Sequence, residues 1–213
     1  MNPSTEIAYK PYYVEGLYMS ADVSTGVLVN RSGRRMLALT NDFLIGLHIA
    51  LEKECGDRVA EVLEHCGKKW GTNFGTALVD AWSEFYECAI DDFPIAFLQG
   101  LLVQEFRCNG WGNLTMDYSF YGIGVLSIAL DGAIMSDIRP QGVAYPADTL
   151  TAGIFAGLFS RILGRPLGCV QSHSPSGEST ESKFILADQS RMDAVRAAIT
   201  QTGDHAKSIE MLR

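Results

Sequence analysis

The fold of this chain is decided by the stretch GIFAGLFSRILGRPL, which runs from Gly153 to Leu167. Small residues recur along its first part at helical spacing. Arg165 precedes a proline and therefore avoids the helical conformation, so the helix is expected to end near Gly164. Residues 167–173 and 182–187 then read as two strands joined by a polar loop. The stretch thus predicts a helix followed by a pair of strands.

Composition limits the classes of function. The 213 residues are 47% hydrophobic and 20% charged, as expected for one folded domain, and the formal net charge is −8. Between Glu84 and Asp137 the basic residue Arg107 stands alone among acidic ones, which argues against nucleic acid or an anionic membrane as a partner. No stretch has the apolar length of a transmembrane segment, and no signal peptide is visible.

The cysteine pattern indicates a reducing compartment. The five cysteines, an odd number, show no CxxC spacing, and three of them fall in predicted helices. We therefore expect reduced core cysteines, a cytoplasmic location and no metal site.

Along the chain the sequence predicts three regions: an N-terminal arm over residues 1–35, a domain over 36–202 and a C-terminal tail over 203–213. Only Val27 to Asn30 is expected to form a short strand within the arm. Helices follow, and Gly67 and Gly71 are expected to break or bend their path. Asp91-Asp92-Phe93-Pro94 has the acidic residues and proline typical of a helix start.

The pattern changes at Trp111. Leu114, Met116 and Tyr118 alternate with polar residues, as in a half-buried strand, and Val125 to Leu130 forms another. A last helix is expected from Gln189 to Gln201. Hairpin-like strand pairs predict an α/β protein of the α+β type: two layers, with a four-stranded antiparallel sheet and helices packed on one face.

This order resembles the 4-vinyl reductase domain family, which is related in fold to TRAPP tethering subunits. The resemblance is carried by Trp111-Gly112, Ala152-Gly153, Gly157-Leu158 and Gly164-Arg165-Pro166. Family members commonly follow the next strand with a cysteine, a glycine, a second cysteine and a phenylalanine. The matching positions here are His173, Gly177, Ser182 and Phe184, so both family cysteines are absent.

The resemblance implies binding of a hydrophobic small molecule, with a tetrapyrrole of the chlorophyll or bilin type as the leading candidate, for delivery or for assembly of a photosynthetic complex. Apart from a bound tetrapyrrole or other hydrophobic ligand, no cofactor is expected. One alternative is a tetrapyrrole vinyl reductase; another is a ligand-free scaffold or assembly factor. A reductase needs a hydride source, and Gly122-Ile123-Gly124 lacks the context of a dinucleotide site. No catalytic constellation is found, which favours binding over catalysis.

Eight residues are candidates for the ligand site: Trp70, Phe74, Trp82, Phe85, Phe97, Gly153, Gly157 and His173. The aromatic residues form either ordinary core or a pocket wall. The two glycines serve either close helix packing or the space for a flat ligand. His173 stands at a family motif position and offers an imidazole.

A homodimer is also expected. Leu47, Leu51, Val59, Leu63 and Trp70 belong to segments that a small sheet would leave uncovered. The alternative is that the tyrosine-rich arm folds back over the same surface.

Overall fold

A computed structural model describes residues 10–138, 145–176 and 179–213 of the chain. Family-motif position 177 lies outside these residues. The elements are, in chain order, β1 Met19–Asp22, β2 Val27–Asn30, β3 Arg35–Met36, α1 Asn41–Cys55, α2 Val59–Tyr86, α3 Ile95–Cys108, β4 Asn113–Asp117, β5 Val125–Asp131, α4 Ile134–Asp137, α5 Thr149–Ile162, β6 Leu167–His173, β7 Glu181–Asp188, α6 Met192–Thr202 and α7 His205–Glu210.

The first three strands form a small antiparallel sheet of their own, in the order β1-β2-β3. Gly26 closes the turn between β1 and β2 with a φ of 66°, a conformation that favours glycine. Asp22 accepts hydrogen bonds from the hydroxyls of Ser24 and Thr25 in the same turn. The sequence predicted only β2, because β2 has three consecutive apolar residues, Val27 to Val29, and β1 and β3 have no such run.

The main sheet has the order β4-β5-β7-β6, and every neighbouring pair is antiparallel. In β4, Leu114 and Met116 are buried while Asn113, Thr115 and Asp117 are exposed. This is the alternation that the sequence showed. The α+β class and the four-stranded antiparallel sheet are therefore confirmed.

Helices α2 and α5 pack directly on each other through glycines. The prediction that Gly67 and Gly71 break the helix is wrong, since both lie inside α2, which runs unbroken for 28 residues. A Cβ atom added to Gly67 or Gly71 would collide with the α5 backbone, at Leu150 and Ile154. Tertiary packing thus overrides the low helix propensity of glycine.

Helices cover both faces of the main sheet. Phe184 and Leu186 of β7 pack in the core on the α5 side. Their neighbours Ile185 and Ala187 point to the other face, where α6 and α7 form a second apolar cluster. The prediction of helices on one face is thus incomplete, because the C-terminal residues form an additional helical layer.

Helix α7 is tied to the sheet by one histidine. His205 Nδ1 lies 2.6 Å from Ser172 Oγ on β6, and its Nε2 lies 2.8 Å from Ser127 Oγ on β5. Burial is the main cause that lowers the pKa of His205, to about 4, and the nearby charge of Lys183 adds to it. A neutral imidazole therefore bridges two strands that are not neighbours in the sheet.

The predicted association surface is divided between the interior and the surface. Val59 and Leu63 are buried within the chain, whereas Leu47 and Trp70 are 46% and 39% exposed. Tyr12 and Tyr18 of the arm are buried in the main core, with Trp82 of α2. Among the described helices, none has both the length and the apolar character that crossing a membrane requires.

Candidate functional site

A cleft opens between α3, the C-terminal end of α2 and residues 10–18, which we call the N-terminal segment. Its volume is about 260 Å³. The segment supplies one wall and the helices supply the other. The lining residues are Pro11, Tyr12, Tyr13, Tyr86, Ala96, Phe97, Gly100, Leu101 and Gln104.

Four of the nine lining residues are aromatic, and the rings in and beside the wall pack edge to face. The ring centroids of Tyr86 and Phe97 are 5.0 Å apart at 77°, and those of Phe85 and Tyr86 are 4.8 Å apart at 87°. Tyr12 meets Phe85 at 5.2 Å and 89°. Such arrangements are favoured by the ring quadrupoles, so the wall of the cleft is firmly packed.

A buried carboxylate lies behind the cleft. Glu105 of α3 is only 2% exposed. Its Oε2 accepts a hydrogen bond from the Tyr13 hydroxyl at 2.5 Å, and its Oε1 accepts one from the Tyr18 hydroxyl at 2.7 Å. Asn109 Nδ2 donates to the same Oε1 at 2.9 Å. One carboxylate therefore anchors the N-terminal segment near its middle, at Tyr13, and at its C-terminal end, at Tyr18.

The Tyr13 hydroxyl has a second partner. Trp82, which is fully buried, donates from Nε1 to Tyr13 Oη at 3.2 Å. Tyr13 lines the cleft, whereas Trp82 and Glu105 do not. The ring of Tyr13 therefore separates the cleft from this polar pair.

Burial sets the protonation of these groups. Burial raises the pKa of Glu105, and hydrogen bonds from Tyr13 and Tyr18 oppose that rise. Burial, followed by the nearby charge of Glu105, raises the pKa of both tyrosines. The two hydroxyls thus keep their protons and serve as donors to the carboxylate.

A guanidinium holds the N-terminal segment from outside. Arg31 Nη1 donates to the carbonyl oxygens of Tyr12 at 2.6 Å and Pro11 at 3.2 Å. Its Cζ lies 4.6 Å from the ring centroid of Phe85, within cation–π distance. The segment is therefore fixed by both its side chains and its backbone.

Three of the predicted site residues meet at this cleft. Phe97 lines it, Phe85 packs against two tyrosines beside it, and Trp82 lies directly behind it. Sequence reasoning missed Tyr12, Tyr13, Tyr18, Asn109 and Glu105. The available signal was Glu105, the single acidic residue of the largely apolar helix α3.

The other predicted residues lie elsewhere. Trp70 stacks on Phe74, with centroids 5.1 Å apart, and on Trp111 at 4.9 Å, which forms a separate aromatic stack. A Cβ at Gly153 or Gly157 would collide with the α2 backbone, so these glycines face a helix and leave no space for a ligand.

The position that matches the second family cysteine belongs to a hydrogen-bonded network. Ser182 is buried and donates to Asp148 Oδ2. Ser136 Oγ donates to the same oxygen at 2.5 Å, and Gln171 Nε2 does so at 3.2 Å. Gln171 also donates to the carbonyl oxygen of His173, so His173 touches the network through its backbone. Burial raises the pKa of Asp148.

Residues 10–138, 145–176 and 179–213 bring no three His, Cys, Asp or Glu side chains together as a metal ion would require. A second cavity between α3, α5 and the sheet has a volume of about 100 Å³. That is below the volume of about 150 Å³ of a protein cavity known to take benzene. The first cleft is therefore the better candidate for a ligand.

Comparison with known proteins supports the fold. No protein-family model matches the chain, and no curated protein does. The crystal structure of the phenol-responsive sensory domain of the transcription activator PoxR with phenol is similar, with a TM-score of 0.66 at 13% identity, over 86% of this chain and 90% of that one.

Two further structures have TM-scores below 0.5. A vinyl-4-reductase family protein from Methanocaldococcus jannaschii gives 0.46 at 15% identity, over 71% of this chain and 82% of that one. A trafficking protein particle complex subunit 3 from Naegleria fowleri, covalently bound to palmitic acid, gives 0.45 at 12% identity, over 69% and 93%.

Proposed function

We propose that this chain is a binding domain for a small hydrophobic molecule with one aromatic ring, held in the cleft between α3 and the N-terminal segment. The observation that carries the proposal is the wall of Tyr12, Tyr86 and Phe97, with a buried donor and acceptor behind it. Ligand sites combine such apolar walls with a few placed polar groups. The sensory domain of similar fold, which was crystallised with phenol, adds support.

The size of the cleft favours a single ring. Its 260 Å³ exceeds the roughly 150 Å³ that takes benzene and falls just below the range of drug-sized ligands, which begins at about 300 Å³. A tetrapyrrole, with four pyrrole rings, needs a wider opening. It would require the N-terminal segment to leave, which breaks the bonds of Tyr13 and Tyr18 to Glu105.

A glycine in the wall offers a direct test. Gly100 lines the cleft and a Cβ added there meets no atom within 4 Å, so the position accepts a side chain and Gly100→Phe should direct a ring into the cleft. A Cβ added to Gly46 on α1 also meets no atom within 4 Å, and Gly46 does not line the cleft, so Gly46→Phe is the matched control.

We expect toluene and phenol to bind the wild type and Gly46→Phe alike in isothermal titration calorimetry. Gly100→Phe should weaken binding by about tenfold or more, because the added ring takes the place of the ligand. Failure of every single-ring compound to bind the wild type would overturn the proposal, as would equal binding by Gly100→Phe.

Experiments on the same purified protein distinguish a tetrapyrrole-binding protein, a vinyl reductase and a ligand-free scaffold. Mass spectrometry of an organic extract would reveal a co-purified tetrapyrrole, and oxidation of a reduced nicotinamide on adding a vinyl tetrapyrrole would favour the reductase. A protein that binds none of these compounds would favour the ligand-free scaffold. Delivery to a photosynthetic complex stays a prediction.

A further inference from the structure

Tyr13 is chemically a phenol that is attached to the chain. Its ring forms part of the cleft wall and its hydroxyl reaches the buried pair behind it. There the hydroxyl donates to Glu105 and accepts from Trp82. Glu105 and Trp82, which we call the hydroxyl socket, therefore satisfy both hydrogen-bonding capacities of one phenolic oxygen.

The hydrogen-bonding groups of the socket match those of a hydroxyl group. Glu105 needs a donor, since a buried acceptor without a partner is costly. Trp82 Nε1 needs an acceptor. A hydroxyl offers both functions from one atom, whereas toluene offers neither. A ring that carries a hydroxyl can take the place of Tyr13 without loss of hydrogen bonds.

We propose that the hydroxyl socket recognises external phenols, and that a phenol enters it by displacing Tyr13 and so releases the N-terminal segment. The inference rests on the proposed function, because the ligand reaches the socket through the cleft. Its direct consequence is a signal: Tyr18 shares the carboxylate with Tyr13 and immediately precedes β1, so loss of Tyr13 loosens the connection to the N-terminal sheet.

The competition has an expected concentration scale. A group on a short flexible linker acts at an effective concentration of the order of millimolar. Tyr13 and an external phenol make the same two hydrogen bonds, but Tyr18 and Arg31 also hold the segment. The flexible-linker value is therefore a lower limit, and we expect half-displacement of Tyr13 at about millimolar phenol or above.

The probes are p-cresol, which is the free equivalent of the tyrosine side chain, and toluene, which lacks the hydroxyl. Release of the segment is read from amide hydrogen exchange at Leu17 and Tyr18, since both amides donate to the Val14 carbonyl, at 3.0 and 3.2 Å. In the wild type, p-cresol should speed exchange at these amides and toluene should not.

Two variants sharpen the test. Tyr13→Ala empties the socket and should prefer p-cresol over toluene by about 10- to 100-fold. Tyr13→Phe keeps the ring but loses the hydroxyl, so p-cresol should displace it at lower concentration than it displaces Tyr13. Tyr121→Ala removes a tyrosine that is 72% exposed and lies outside this cleft, and it should behave as the wild type.

The outcomes separate the two proposals. Equal affinity of Tyr13→Ala for p-cresol and toluene, or no change in exchange when p-cresol saturates the wild type, overturns the socket and leaves the proposed function standing. A wild type that binds neither compound overturns the proposed function and the displacement of Tyr13 together, even where Tyr13→Ala binds p-cresol. If Tyr13→Ala does not fold, the socket is tested by the p-cresol concentration that displaces the ring of Tyr13→Phe and by amide exchange at Leu17 and Tyr18 of the wild type.

Discussion

Replacing Gly157 with alanine tests the contact between α2 and α5. The added Cβ would collide with the backbone of Lys68 and Thr72, and backbone atoms cannot turn aside as a side chain does. Overpacking costs about 1–3 kcal/mol, and we expect the upper end here because the two helices must move apart. The higher helix propensity of alanine relative to glycine stabilises the variant by about 1 kcal/mol. The net loss is therefore about 2 kcal/mol.

The matched control is Gly46→Ala, which lies in α1 and meets no atom within 4 Å of the added Cβ. It should gain up to about 1 kcal/mol. In thermal unfolding, Gly157→Ala should melt about 4–8 °C below the wild type. A melting temperature at or above that of the wild type would refute close packing as the role of Gly157. Unchanged toluene binding would further separate Gly157 from the ligand site.

Three other predictions concern buried groups and association. In urea unfolding, Asp148→Asn should lose less stability than the wild type as the pH rises above about 4. The pKa of Asp148 is raised in the folded state, so the wild type loses stability at pH values where the carboxyl of the unfolded chain ionises. An unchanged dependence of stability on pH would contradict this. As the pH falls from 6.5 to about 4, His205→Leu should lose less stability than the wild type. The pKa of His205 is lowered in the folded state, so in this range the unfolded wild type takes up a proton that the folded state does not. Equal losses would argue against the bridge that His205 forms between β5 and β6. Light scattering should give a dimeric mass that Leu47→Glu reduces, because Leu47 is the most exposed residue of the predicted surface, and a wild-type monomer would end that prediction.

The parts of the fold that the sequence predicts have local signals. The alternation of Leu114 and Met116 and the helix that ends before Arg165-Pro166 depend on neighbours in the chain, and both occur where they were expected. Gly67 and Gly71 gave a misleading local signal, because their role is a contact with a helix about 85 residues away.

The candidate site was predictable only in part for the same reason. Trp82, Phe85 and Phe97 were found because apolar aromatic residues on a helix face indicate a core or a pocket wall. The two tyrosine partners of Glu105 lie 92 and 87 positions earlier, in a segment with no regular period. No pattern in the sequence states which carboxylate two such tyrosines will meet.

The wide separation of Tyr13 and Glu105 also bears on synthesis of the protein. Ribosomes add about 5–20 residues per second, so Tyr13 emerges about 5–20 s before its acceptor, which follows 92 residues later. During that interval the β1–β2 hairpin can pair locally, while the three tyrosines of the segment have no site to occupy. The N-terminal segment therefore docks only after α3 has been made.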